Sequence, residues 1–200
     1  MKHIFQEGND PTKPTLLLLH GTGGTEQDLL PLAERIDEGA NVLSVRGNIL
    51  ENGMPRFFKR LAEGIFDEED LIFRTKELNT FLDEAAETYT FHRDNIIAIG
   101  YSNGANIAAN LLFHYQHALR GAILHHPMVP RRGIALPNLA HKHVFIAAGI
   151  NDPICPPQES KDLTKILKDA GANVHLHWEN QGHQLTLQEV ESAAQWYQHL

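Results

Sequence analysis

One cysteine in 200 residues, Cys155, leaves no internal disulfide to be made. That scarcity excludes the stapled scaffolds of small secreted domains and suits a reducing compartment, so a cytoplasmic setting is expected. Long hydrophobic runs are missing too. The longest unbroken aliphatic stretch is Leu16-Leu17-Leu18-Leu19, far below the roughly 20 residues that span a bilayer, and no stable membrane anchoring is expected. The segment Met1–Gly8 turns polar at once and has no apolar core of a secretion signal. Positive charge is scarce. Acidic residues outnumber Lys and Arg by 25 to 17, a net charge of −8, whereas a phosphate-binding surface needs clustered bases, so nucleic acid is not an expected partner. Arg131-Arg132 reads as solvated loop. The acidic run Asp67-Glu68-Glu69-Asp70 reads as a helix start, where negative charge suits the free N–H groups.

What is present is the composition of an ordinary soluble globular chain, 42% apolar and 21% charged. The length suits one domain over residues 1–200 with a real core, and is short for two. Short apolar, β-rich runs recur at Thr15–Leu19, Asn41–Val45, Asn95–Ile99, Gly121–His125, His143–Ala147 and Asn173–Trp178. Longer helical patterns alternate with them at Asp28–Ile36, Asp70–Tyr89, Ser102–Gln116, Gln158–Ala170 and Thr186–His199. That alternation predicts an α/β fold, a mostly parallel sheet with helices on both faces. Continuous apolar runs such as Ile96-Ile97-Ala98-Ile99 fit strands buried on both sides. A short edge strand is expected near Lys2–Gln6. Pro31 requires the first turn of its helix, and Gly171 suits a helix C-terminus. One connection, Gly47 to Glu69, is long, and long connections in compact domains are usually functional or mobile.

Gly100-Tyr101-Ser102-Asn103-Gly104 follows one of these strands and opens a small-residue helix, which is the strand–turn–helix setting in which Gly-x-Ser-x-Gly presents a nucleophile. The serine must sit on a tight turn at the sheet's carboxyl edge, and flanking glycines leave room where side chains would clash. The bland alternative is a glycine-rich turn with a capping serine. A serine hydroxyl needs a base and the base needs an orienting acid. In this fold they follow in the order Ser, Asp or Glu, His, each after a strand. Asp152 in Gly149-Ile150-Asn151-Asp152-Pro153 and His183 in Gln181-Gly182-His183 meet that order. Separately, Asp152 reads equally as a turn residue, and His183 as one loop histidine among thirteen. An oxyanion hole needs two donors. The backbone N–H of Asn103 is one candidate. The other is Thr22, in the loop His20-Gly21-Thr22-Gly23-Gly24, whose glycines lack the spacing of a phosphate-binding loop.

These pieces, from Leu16 to His183, resemble the carboxylesterase/phospholipase group of α/β-hydrolases, to which acyl-protein thioesterases also belong. The stretch from Ser44-Val45-Arg46-Gly47-Asn48 through Arg56-Phe57-Phe58-Lys59-Arg60 to Asp70 is similar to a small bacterial carboxylesterase subgroup, some of whose members are linked to quinone-type compounds. The resemblance implies an α/β-hydrolase fold and ester or thioester hydrolysis by Ser102, His183 and Asp152. Many relatives carry Asp where Gly24 stands and Gln where Asn103 stands, so the protein-thioesterase activity does not carry over.

The expected reaction is acyl transfer to Ser102 and then to water, with no metal and no organic cofactor, on a small-molecule ester substrate. Activity should rise with pH through the ordinary histidine range. No large insertion separates Gly121–His125 from His143–Ala147, so no lid domain is expected and the site should suit small or medium substrates. Phe57, Phe58, Phe66, Met128 and Ile154 are the candidate lining residues, with core packing the alternative reading for each. Thioesterase or lysophospholipase activity on the same triad is a further reading. A metal-dependent hydrolase would use His125-His126, His141-x-His143 or His175-x-His177, but no carboxylate stands at ligand spacing and solvated or capping histidines are expected there. A non-catalytic binding module is disfavoured by the complete triad. Cys155 reads as packing. The sequence sets no oligomeric state and allows a homodimer.

Overall fold

The computed structural model describes residues 1–200. Seven strands form one sheet: β1 (His3–Gln6), β2 (Thr15–Leu19), β3 (Val42–Val45), β8 (Ile96–Tyr101), β9 (Gly121–His125), β10 (His143–Gly149) and β11 (Asn173–Glu179). Their order is β1-β3-β2-β8-β9-β10-β11. Only β1 runs antiparallel to its neighbour, β3; every other pairing is parallel. The helices are α1 (Leu30–Ile36), α2 (Glu68–Tyr89), α3 (Asn103–His114), α4 (Pro157–Asp169) and α5 (Leu187–Tyr197). The expected elements are all there, with ends that move by two residues at most. Asn41 and Asn95 fall just outside their strands, yet their carbonyls still accept from Leu16 and Thr15 N–H.

The alternation of side chains along a strand explains the two cores. Leu17 and Leu19 of β2, with Ile96 and Ala98 of β8, join a cluster of 34 buried residues that α2, α3 and α4 cover. Leu16, Leu18, Ile97 and Ile99 point the other way, into a cluster of 14 under α1 and α5. Both faces of the central strands are therefore dry, which is why these runs are apolar at every position. The acidic run does start a helix: Asp67 caps α2 by accepting from the Asp70 N–H at 3.1 Å. Gly171 takes the left-handed conformation, φ 99°, after α4.

The long connection is neither a loose loop nor a cap domain. It folds into two small hairpins, β4 (Ile49–Glu51) with β5 (Met54–Arg56), and β6 (Arg60–Ala62) with β7 (Ile65–Phe66). Gly47 is held against the Arg56 carbonyl so closely that a Cβ would lie 2.2 Å from that oxygen. Between the hairpins, Phe57 and Phe58 turn inward and are buried in the larger core. No secondary-structure element lies between β9 and β10.

Two variants test this packing. A Cβ on Gly104 would sit 1.9 Å from the Leu19 carbonyl oxygen, so Gly104→Ala should destabilise the fold by about 3 kcal/mol or more. Phe58→Ala should cost about 3–5 kcal/mol. Urea unfolding midpoints measure both; midpoints at the parent value would contradict the tight helix–strand contact and the core position of Phe58.

Candidate active site

The site lies at the carboxyl edge of the sheet. β8 ends at Tyr101 and is followed by Ser102, whose backbone takes φ 51°, ψ −113°, a conformation a non-glycine residue holds only when its surroundings force it. The surroundings here are explicit. The Ser102 N–H donates to the His125 carbonyl at 2.8 Å, and α3 begins at the next residue. Gly100 and Gly104 are required at their positions, because a Cβ on either would enter backbone atoms of Ala105 or of Leu19 and His20.

From this turn the Ser102 hydroxyl donates to His183 Nε2 at 2.8 Å, and His183 Nδ1 donates to Asp152 Oδ2 at 2.7 Å. Asp152 follows β10 and is fully buried at its side chain; His183 follows β11 and is 15% exposed. The two loops are knitted together. Ile150 N–H donates to the Glu179 carbonyl and Asn151 N–H to that of Gln181. The Tyr101 hydroxyl donates to the His183 carbonyl at 2.7 Å, and its ring lies 5.6 Å from the imidazole. Burial by itself would raise the Asp152 carboxyl. N–H groups of Cys155 and Ile154, at 2.9 and 2.8 Å, and the His183 ring outweigh it and hold the group below the usual carboxylate range.

Opposite Ser102 stands the loop after β2. Its Thr22 N–H has no acceptor in the protein, and Asn103 N–H is among those that the start of a helix leaves free. Buried His20 locks this loop. Its Nδ1 donates to the Gly21 carbonyl at 2.6 Å, and its Nε2 accepts from Gly47 N–H at 3.1 Å. That pattern requires the neutral ring, and burial holds its pKa below the usual histidine value.

A cavity of about 40 Å³ opens beside the strained turn, and Thr22, Ser102 and Asn103 share its wall. Of the five expected lining residues, Phe66, Met128 and Ile154 are there. Phe57 and Phe58 are not. Phe57 packs on His20, Phe58 on Phe66, and both belong to the core. Their place is taken by the polar Arg56, Arg60, Glu63 and Asn106, which sequence periodicity did not single out because the hairpins carry no core-facing repeat.

The second correction concerns His125-His126. Both are fully buried, not solvated, and carboxylates do face them. His126 lies between Asp152 Oδ2 and Glu189 Oε2, each 3.1 Å from a ring nitrogen. Carboxylates only accept, so both contacts are hydrogen bonds when the ring is doubly protonated. Burial opposes that charge, but Glu189 and then Asp152 prevail and raise the His126 pKa. Glu189 is lowered to about 2: burial pushes it up, and His125 and His126 pull it down further. Glu189 Oε1 meanwhile accepts from Thr186 N–H as part of the capping box that starts α5. One buried carboxylate thus anchors the helix that follows His183 and the histidine behind Asp152. Nothing in the local sequence signals this, since residues 126, 152 and 189 meet only in three dimensions. His126, Asp152 and His183 also present ligand atoms within 4.8 Å of one another. With both ring nitrogens of His126 directed at carboxylates, the triangle has no free imidazole lone pair there for a metal. Of the other pairs, His177 meets Glu179 at 2.7 Å and His175 stacks on Phe145. Cys155 is buried, its thiol donating to the His126 carbonyl, and burial raises its pKa steeply.

A doubly wound sheet whose serine sits on a strained strand-to-helix turn defines the α/β-hydrolases. The chain belongs to the phospholipase/carboxylesterase family, whose model matches residues 2–200. The protein MhqD of Bacillus subtilis (strain 168) is 60% identical over 197 residues, 98% of each chain. A carboxylesterase crystal structure from Bacillus cereus is 73% identical, covers 100% of this chain and 94% of its own, and superposes with a TM-score of 0.99. A structure of YahD with malic acid is 35% identical, covers 99% and 98%, and has a TM-score of 0.95. The protein is therefore an esterase-type hydrolase with no large cap. No helix is long and apolar enough to cross a membrane.

The buried His126 makes a prediction with a sign. A group whose pKa is higher in the folded state contributes stability that is complete below its unfolded pKa, about 6.5, and is lost as pH rises through the folded value. His126→Asn keeps a residue tolerant of the local φ of 53° but removes the charge between two carboxylates. It should cost about 3 kcal/mol at pH 6, and the gap to the parent protein should narrow as pH rises toward 9. Urea titrations at several pH values measure it; a gap independent of pH would refute a charged His126.

Proposed function

We propose that Ser102, His183 and Asp152 are the catalytic triad of an esterase that cleaves carboxylic esters of small to medium substrates through an acyl-enzyme. The observation that carries this is the continuous hydrogen-bonded chain from the Ser102 hydroxyl through His183 to a buried Asp152. His183 Nε2 takes the serine proton as Oγ attacks the ester carbonyl. Asp152 holds the tautomer in which Nε2 is the free base and stabilises the imidazolium that forms. Thr22 and Asn103 N–H groups receive the oxyanion, worth roughly 2.7–4 kcal/mol per donor in comparable sites. The imidazolium then protonates the leaving alcohol. Water enters, gives its proton to His183 and attacks the acyl carbonyl, and Ser102 leaves as the hydroxyl. Every step uses groups of this chain and needs no cofactor.

The small cavity supports compact substrates. YahD's structure with malic acid, a small acid, points the same way. The cavity that Ser102 lines holds only about 40 Å³, which disfavours the long acyl chains of lysophospholipids; the same chemistry would serve a short thioester. A reducing cytoplasm suits the free thiol of Cys155.

A fluorophosphonate probe should label Ser102, located by peptide mapping, and Ser102→Ala should lose the label and lower kcat by about 10⁴-fold or more on a short-chain ester. Asp152→Asn should lower kcat by about 10⁴-fold while leaving the fold intact. A folded protein that turns over esters with Ser102 unlabelled would refute the assignment.

A further inference from the structure

We infer that the ester substrate carries a carboxylate close to its scissile carbonyl, held over Ser102 by the side chains of Arg56 and Asn106. The inference rests on the esterase reading above and adds what the substrate must offer.

Three side chains in the wall of the cavity keep a donor group that no acceptor of the protein meets. Asn106 is buried, and its Oδ1 accepts from Met128 N–H at 2.8 Å. That bond settles which end of the amide is which, and it leaves the Nδ2 amine without a partner. Asn103 repeats the pattern: Oδ1 accepts from Phe57 N–H at 2.7 Å, and Nδ2 is buried with nothing to donate to. Arg56 is only 3% exposed. Its Nε donates to the Phe58 carbonyl at 3.2 Å and its Nη1 to Thr22 Oγ1 at 2.6 Å, which leaves Nη2 unpaired. All three residues line the cavity that holds Ser102. Of these three donors Asn103 Nδ2 is the one wholly out of reach of water, and a buried donor without an acceptor is uncommon in folded proteins because it forfeits hydration for nothing. The Asn106 and Arg56 donors, open to the cavity, belong to the same wall as Ser102, next to a helix N-terminus that itself favours negative charge.

Charge separates a carboxylate from a neutral acceptor. Arg56 and Arg60 share one carboxylate, Glu51, at 3.6 and 3.0 Å. One positive charge is therefore not matched inside the wall. Glu63 also lines the cavity, but it is exposed and forms no ion pair, so water screens its repulsion. A guanidinium that cannot lose its proton, fixed by two hydrogen bonds and buried, is a preorganised carboxylate receptor. The apolar Phe66, Met128 and Ile154 on the same wall leave room for only a short chain between carboxylate and carbonyl.

The test compares esters of matched length by pH-stat: monoethyl succinate, with the carboxylate on the acyl side; carboxymethyl butanoate, with it on the alcohol side; and neutral ethyl pentanoate. One of the two acidic esters should show a kcat/KM at least about tenfold above ethyl pentanoate. Asn106→Asp keeps the acceptor that Met128 N–H needs and replaces the donor with an anionic oxygen. It should lower the acidic-to-neutral ratio at least about tenfold, and Arg56→Met should do the same. Because the ratio is taken within each variant, partial loss of folded protein cancels. If ethyl pentanoate is turned over as well as or better than both acidic esters, the inference fails and the esterase reading stands. A ratio unchanged in both variants refutes the assignment to Arg56 and Asn106. If the wild type hydrolyses none of the three, both readings fall.

Discussion

The close approach of α3 to the end of β2 is the constraint on which the site depends. Gly104 lies so near the Leu19 carbonyl that no other residue fits. That contact forces the chain to reverse within the five residues from Gly100 to Gly104, and the reversal puts Ser102 into its strained conformation. It also brings the loop that follows Leu19 beside the first N–H groups of α3. Ser102 and the N–H groups proposed to receive the oxyanion are therefore set by one packing contact. The strain at Ser102 is sustained by two dry cores, one on each side of the sheet, that give the backbone no freedom to relax.

Behind the serine the governing term is burial of charge. Asp152 has no exposed side-chain surface, yet it remains a carboxylate because N–H donors and imidazole rings face it. His126 is the less expected partner. It carries the influence of Asp152 to Glu189, whose second oxygen holds the start of α5. The loop bearing His183 runs between those two fixed ends. The orientation of His183 thus follows from a carboxylate–histidine–carboxylate stack beneath it as well as from the single bond to Asp152.

The hairpins between β3 and α2 supply one side of the cavity beside Ser102. They bind the loop after β2 from one side, through Gly23 N–H to the Pro55 carbonyl and Arg56 to Thr22. They bind the elbow from the other, through Phe57 N–H to Asn103. A segment with so many ties to the reacting centre is part of the wall.

Much of this was legible in the chain itself. Apolar runs buried on both faces, the glycines around Ser102 and the order Ser102, Asp152, His183 are local or sequential features, and each has one physical reading once strands and helices alternate. Edges such as Asn41 and Asn95 were blurred because their carbonyls pair although the residues lie outside the strands. Phe57 and Phe58 misled for a different reason. An aromatic pair in a loop lines a pocket or fills a core depending on which way the backbone turns, and Gly47 and the Asn103 side chain decide that from a distance. The buried histidine beneath Asp152 and the unpaired donors of Arg56 and Asn106 had no sequence signature, since hydrogen-bond satisfaction is a property of neighbours in space. Sequence alone determined that a serine would be presented at the edge of a parallel sheet, because tight turns and buried strands demand particular residues. Tertiary structure alone decided what surrounds that serine, because burial and the pairing of charges arise only when distant segments meet.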